Sequence, residues 1–442
     1  MKRIVMSAVA LTAMMSAPSA LSADDGINIL DNIVLDAQIR PRYEMVDDST
    51  LSAGPGSSEK FAKANAFTAR TKLKVTANLF GLDGLSASVG LISVNNFGSN
   101  EYNWNTSSNY DSYIPLKPYA IVMDPQMAML SNAEVNYTLG KTTLHAGRGQ
   151  VNLDNQRFIG TVGWRQLERS YDSVFVANNS VKNLSVLAAW VYGFQGVVDK
   201  PTADTNSVLL HAAYKVADPL TITAYDYMLA NYHDTYGLAL TGKFKMDAVT
   251  LDYRAEYAQQ GNASMKIHGG VPSALIPTQL TNAKADAEYT NLDLGANIYG
   301  VLAGINYEVL SGANVTGTET AFTTPLATGH KFNGWADKFL KTPEGGLQDA
   351  NIRVGYKAKG FGKILAIYHD FKTDTNVMND VNGLSANDLG SEIDVVYANK
   401  IPGLKGLSGL LKYADFSKGT VVGYNADKQV FWAQLDYKFS TK

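Results

Sequence analysis

From residue 33 onward, apolar and polar residues alternate with a period of two. Ile33, Leu35, Ala37, Ile39 and Tyr43 fall on one face, while Asp36, Gln38, Arg40, Arg42 and Glu44 fall on the other. The pattern returns with Phe67, Ala69, Leu73, Val75, Ala77 and Leu79 opposite Thr68, Arg70, Lys72, Lys74, Thr76 and Asn78. Successive side chains of an extended strand point to opposite faces, so this period predicts strands with one apolar and one polar face. One such strand fits the exposed sheet of a soluble sandwich equally well.

Repetition to the end of the chain tips the balance toward a membrane barrel. Val249, Leu251, Tyr253, Ala255 and Tyr257 oppose Asp252, Arg254 and Glu256; Ala350, Ile352, Val354 and Tyr356 oppose Asn351, Arg353 and Lys357; Ile393, Val395 and Tyr397 oppose Glu392 and Asp394. Segments of this kind number about 18, with parity slipping near Asp172, Asp226 and Asp370. Their connections alternate in length. Short ones fall at 80–84, 140–141, 178–183, 216–219, 245–248, 300, 359–362 and 400–406, and long ones at 98–130, 149–169, 261–288, 311–349 and 373–390. Short periplasmic turns and long extracellular loops are the asymmetry of outer-membrane barrels. The closing segment places Phe431, Ala433, Leu435, Tyr437 and Phe439 against Gln434, Asp436 and Lys438, an aromatic terminal strand followed by Ser440, Thr441 and Lys442. The expected fold is therefore all-β, a transmembrane antiparallel barrel of about 18 strands.

The N-terminus adds a location. Lys2 and Arg3, an uncharged run over 4–17 and the small-residue stretch at 18–23 read as a cleavable secretory signal, cut after Ser22 or Ala23. This divides the chain into a signal peptide, 1–23, and one barrel domain, 24–442. No stretch reaches the roughly 20 apolar residues of a membrane helix. The absence of cysteine removes disulfides and thiolate chemistry. A formal charge of −3 leaves no basic footprint for nucleic acid.

In a barrel the polar strand face is the lumen, so its charged residues are the pore-lining candidates: Arg40, Arg42, Glu44, Arg70, Lys72, Lys74, Glu134, Asp252, Arg254, Glu256, Glu308, Arg353, Lys357, Glu392 and Asp394. Arg40, Arg42, Arg70, Lys72 and Lys74 lie on adjacent first strands, as a ladder for anions unless neighbouring acids cancel it. Asp154, Arg157, Arg165 and Glu168 sit in a glycine-punctuated segment. Either it folds inward as a charged constriction or it braces the outer rim. The segment with His330, Trp335, Asp337 and Lys338 reads as a plug or lid. No catalytic residues, metal site or cofactor are expected: the six histidines lack metal-ligand spacing and no serine sits in a G-x-S-x-G elbow.

LHAGRGQVNLDNQRFIGTVGWRQLERSYDS from Leu144, TGHKFNGWADKFL from Thr328, SEIDVVYANKI from Ser391 and FWAQLDYKF from Phe431 resemble the alginate-export-domain outer-membrane barrels and related proteobacterial porins. That resemblance implies an 18-stranded barrel in the outer membrane of a Gram-negative bacterium. An alginate exporter would carry an excess of lumenal Arg and Lys. Here loss of Lys2 and Arg3 takes 38 basic residues to 36, against 41 acidic. The expected function is a porin-type channel for passive diffusion of small hydrophilic solutes or ions, with outer-membrane lipid as its surroundings and no nucleic-acid partner. A polysaccharide export conduit and a surface adhesin are the alternatives. Homotrimer and monomer are equally compatible with the sequence.

Overall fold

The computed structural model describes residues 29–50, 60–104, 118–198, 203–265, 284–314 and 318–442. The signal segment lies outside them. The strands are β1 (Leu30–Asp48), β2 (Ala64–Leu79), β3 (Leu85–Asn95), β4 (Ala128–Leu139), β5 (Thr142–Gly149), β6 (Ser170–Asn178), β7 (Leu184–Gln195), β8 (Ala203–Ala217), β9 (Leu220–Leu229) and β10 (His233–Met246). They continue as β11 (Val249–Asn262), β12 (Lys284–Ala285), β13 (Ala287–Ile298), β14 (Val301–Leu310), β15 (Glu319–Thr320), β16 (Leu347–Ala358), β17 (Gly362–Lys372), β18 (Asp388–Lys400), β19 (Leu407–Lys418) and β20 (Lys428–Ser440).

All but β12 and β15 form one 18-stranded antiparallel sheet, as expected. It closes where β1 pairs with β20, Tyr43 lying opposite Ala433 and Met45 opposite Phe431. The two short strands form a separate parallel ladder in the loops. Closure matters because a hydrocarbon surrounding offers no partner for a free sheet edge.

The outer face is apolar and open, with Ile352 61% and Val354 60% exposed. So continuous an apolar surface is unsustainable in water and is the face a bilayer requires. Aromatic side chains gather at both of its borders. Tyr356, Phe361 and Tyr397 cluster at the short-turn end; Tyr43 with Phe431 and Trp190 with Tyr192 do so at the loop end. Amphipathic rings belong at the two interfaces of a membrane. The turns are tight: Tyr299 and Gly300 both have positive φ, the requirement of a two-residue hairpin turn. At the loop end, residues 230–232 make a three-residue connection shorter than its neighbours.

Two of the three parity slips are bulges, the register shifting between Asp172 and Ser173 and between Phe371 and Lys372. Near Asp226 the register is continuous. That carboxylate points outward between Leu210 and Tyr236, so the slip there is a polar residue on the outer face, not an irregular strand. Asp172 also faces a cation across the wall, Arg148 binding it through two bonds of 2.6 and 2.7 Å.

A charge on the outer wall tests this topology. Leu294→Arg, on the exposed outer face, is expected to cost about 2–4 kcal/mol, whereas Asn297→Arg on the inner face costs about 1 kcal/mol or less. Urea titration of folding into lipid vesicles measures both.

Candidate functional site

Every pore-lining candidate lies on the inner face of its strand, but water does not reach them equally. Arg42, Glu44, Arg70, Glu256, Glu308, Glu392 and Asp394 are buried, each 3% exposed or less. The lumen is therefore not solvated throughout. Two loops fold inward and replace water as hydrogen-bond partners.

Loop 150–169 crosses the interior. Arg157 holds Glu308 on β14 with parallel bonds of 2.8 and 2.9 Å, and a further 2.9 Å bond reaches Asn333. Arg165 donates to Glu44 on β1 at 3.0 Å and to Asp337 of the other loop at 2.7 Å. Glu168 accepts from Arg70 at 2.8 Å and Lys72 at 2.7 Å, both on β2. Asp154 lies 3.1 Å from His211 on β8. The four loop candidates therefore reach walls on different sides of the barrel, the inward arrangement of the two left open by the sequence.

The basic ladder is also occupied. Arg40 donates to the Gly163 and Trp164 carbonyls, and Arg42 donates to Trp164 and Gln434. Lys74 binds Glu134 at 2.8 Å. Asp124, which sequence reasoning did not single out, lies 3.5 Å from Arg42 and accepts the Gln166 N–H at 2.8 Å. Apart from Glu44, the anions that cancel the ladder come from loops and other strands, so little that is adjacent in sequence announces them. Lys72, Lys74, Asp252, Arg254, Arg353 and Lys357 keep solvent contact.

Loop 318–346 docks on β18, three strands from β1 around the barrel. The Trp335 and Ala336 N–H groups donate to Asp394 at 3.1 Å and to Glu392 at 2.7 Å. Gly334 has a φ of +82°, and a Cβ there would meet the Glu392 carboxylate at 2.5 Å, so the close approach requires glycine. Lys412 sits 4.2 Å from the Trp164 ring and 3.8 Å from that of Trp335. Lys338 packs 5.2 Å from the Phe416 ring.

His330 joins the two loops to the wall. Its Nδ1 is 2.7 Å from Asp337 Oδ1, its Nε2 is 2.7 Å from Lys412 Nζ, and its ring stacks on Trp164 with a centroid separation of 4.6 Å. Burial lowers the His330 pKa to about 3, which outweighs the pull of Asp337. The ring is therefore neutral at pH 7, donating through Nδ1 and accepting from Lys412 through Nε2. Burial pushes the Asp337 carboxyl up, but contact with His330 and Arg165 holds it below the usual carboxylate range.

With this geometry in hand, the molecule can be set beside solved structures. The crystal structure of Pseudomonas aeruginosa OccK8 (OprE) superposes with a TM-score of 0.67 at 14% identity, covering 94% of this chain and all of that one. Acinetobacter baumannii OccAB2 gives 0.67 at 13% identity over 95% of this chain, and P. aeruginosa OccD3 (OpdP) gives 0.63 at 14% over 97%. The fold is that of the Occ and Opd outer-membrane porins. No family model and no curated protein matches the sequence. The Occ likeness supports the porin-type part of the resemblance seen in sequence and not its alginate-export part.

Two outcomes follow from the buried charges of this lumen. Glu44→Ala leaves Arg165 and Arg42 without a carboxylate they share, and is expected to cost about 3–5 kcal/mol, read as a fall in thermal midpoint with new protease cleavage in loop 150–169. The His330 pKa is lower folded than unfolded, so the unfolded chain binds the proton more readily. Its contribution is complete above pH 6.5 and declines as the pH falls toward about 3. Asp337, depressed in the fold, adds a loss in the same direction below the ordinary carboxylate range. Thermal midpoints between pH 7 and 4 are expected to fall more steeply for the native chain than for His330→Gln.

Proposed function

We propose that this chain is an outer-membrane porin-type channel for passive diffusion of small hydrophilic solutes or ions. The observation that carries the reading is a closed barrel with an apolar exterior whose polar lumen is narrowed by two inward loops. Passage then depends on diameter and lining charge, with no energy coupling. The fold likeness to the Occ porins supports the same reading. Loops anchored to several walls favour small solutes over a polysaccharide, which would need a wider bore. Within this proposal residues 1–23 direct export and are removed, leaving 24–442 in the membrane.

The solute path is assigned to the lumenal charges that keep contact with water: Lys72 and Lys74 on one wall, Arg254, Arg353, Lys357 and Asp252 on the others. Arg157, Arg165 and Glu168 act by holding the constriction in place. Planar-bilayer recording of the purified protein is expected to give discrete conductance steps. Lys72→Glu with Lys74→Glu is expected to shift the cation-to-anion permeability ratio several-fold toward cations. Absence of steps contradicts the channel, and unchanged selectivity contradicts the assigned path.

A further inference from the structure

Beneath the tip of loop 318–346 the lumen contains a cavity of about 400 Å³, within the range of small-molecule sites. Its roof includes Phe332 and Trp335, and its walls come from β11, β13, β14, β16 and β17. Most of the charged groups around it are already matched. Arg353 binds Asp293 through two bonds of 2.7 Å, Arg254 binds Glu256 at 2.7 Å, Arg157 binds Glu308, and Asp349 lies 2.8 Å from His369. The ammonium of Lys331 donates to the Asn155 carbonyl at 2.8 Å. Apart from Lys331, which has no carboxylate partner among the described residues, the charges that a charged solute would meet are engaged.

What the cavity offers besides is amide groups, although Asn333 is already bonded to Arg157, Glu308 and Asp349. Asn155, Asn291, Asn306, Asn333 and Asn351 converge on it from both inward loops and three strands. An amide donates and accepts, as does a hydroxyl, so such a lining suits a ligand that carries many hydroxyls and no charge. One polar side chain on the wall lacks a protein partner. Asn291 is 6% exposed and its side chain makes no hydrogen bond among the described residues; the buried His369 ring is held between Asp349 and Asp394. Buried polar groups are seldom left unpaired, and those facing a cavity await water or ligand.

We propose that this cavity is a binding site for a neutral polyhydroxylated solute, a sugar of one or two rings. Hydroxyls satisfy Asn291 and the neighbouring amides, while the apolar ring face lies against the aromatic roof. The proposal rests on the channel reading and adds a solute class to it. The cavity lies directly under the constriction, so a bound sugar interrupts ion flow.

The test is single-channel recording of the full chain with sucrose, glucuronate or arginine added. Sucrose is expected to cause concentration-dependent current interruptions, and Asn291→Ala to weaken them roughly five-fold, the worth of one lost hydrogen bond. Interruptions are scored against each variant's own sucrose-free current. A conducting channel indifferent to sucrose, or one that binds glucuronate or arginine as tightly, overturns the inference and leaves the channel standing. A chain that never conducts sinks the channel reading instead. In that case a sucrose-dependent change in tryptophan fluorescence, lost in Asn291→Ala, still supports the site, and its absence overturns it.

Discussion

The ion pairs of Arg157 with Glu308, and of Arg165 with Glu44 and Asp337, tie one loop to two walls and to a second loop. Much of the interior depends on them. A closed barrel turns its polar strand faces toward one another, and charges withdrawn from water there need opposite charges within reach. Pairs of this kind add little over well-packed apolar residues, but removing one partner strands the other, so they fix geometry more than they add stability. Both loops are held inside because leaving would expose guanidinium and carboxylate groups whose partners stay behind.

From that constraint the proposed path follows. The ladder of Arg40, Arg42 and Arg70 does not face open water, because the carbonyls of Gly163 and Trp164 and the carboxylate of Glu168 fill it. Lysines lower on the same wall, and the Arg254 and Arg353 region across from them, keep contact with solvent. His330 sits where the loops meet, stacked on Trp164 and bonded to Asp337 and Lys412. Its neutrality is what lets one ring link a carboxylate to an ammonium. The amide-lined cavity lies just beneath this junction.

The strands were legible because alternation is a local property. Residues 33–45 and 249–257 announce their faces without knowing their neighbours, and bulges at Asp172 and Phe371 disturb the alternation where they occur. The lumenal side of all fifteen wall candidates followed from the same parity. Burial did not, since the partner of Arg157 lies 151 positions away and that of Arg165 lies 121 away. An arginine-rich loop has the same composition whether it braces a rim or crosses a lumen. The asparagines of the cavity are single residues on separate elements, brought together only by strand order and loop docking, so no motif marks them.

The central claim is a lumen narrowed by docked loops yet open to small solutes. Polymer exclusion tests it most directly: single-channel conductance is measured with neutral polyethylene glycols of graded length on both sides. Short polymers about the size of a disaccharide are expected to enter and lower the conductance, while longer ones leave it near its polymer-free value. Free entry of long polymers would contradict the account, as would exclusion of even the shortest.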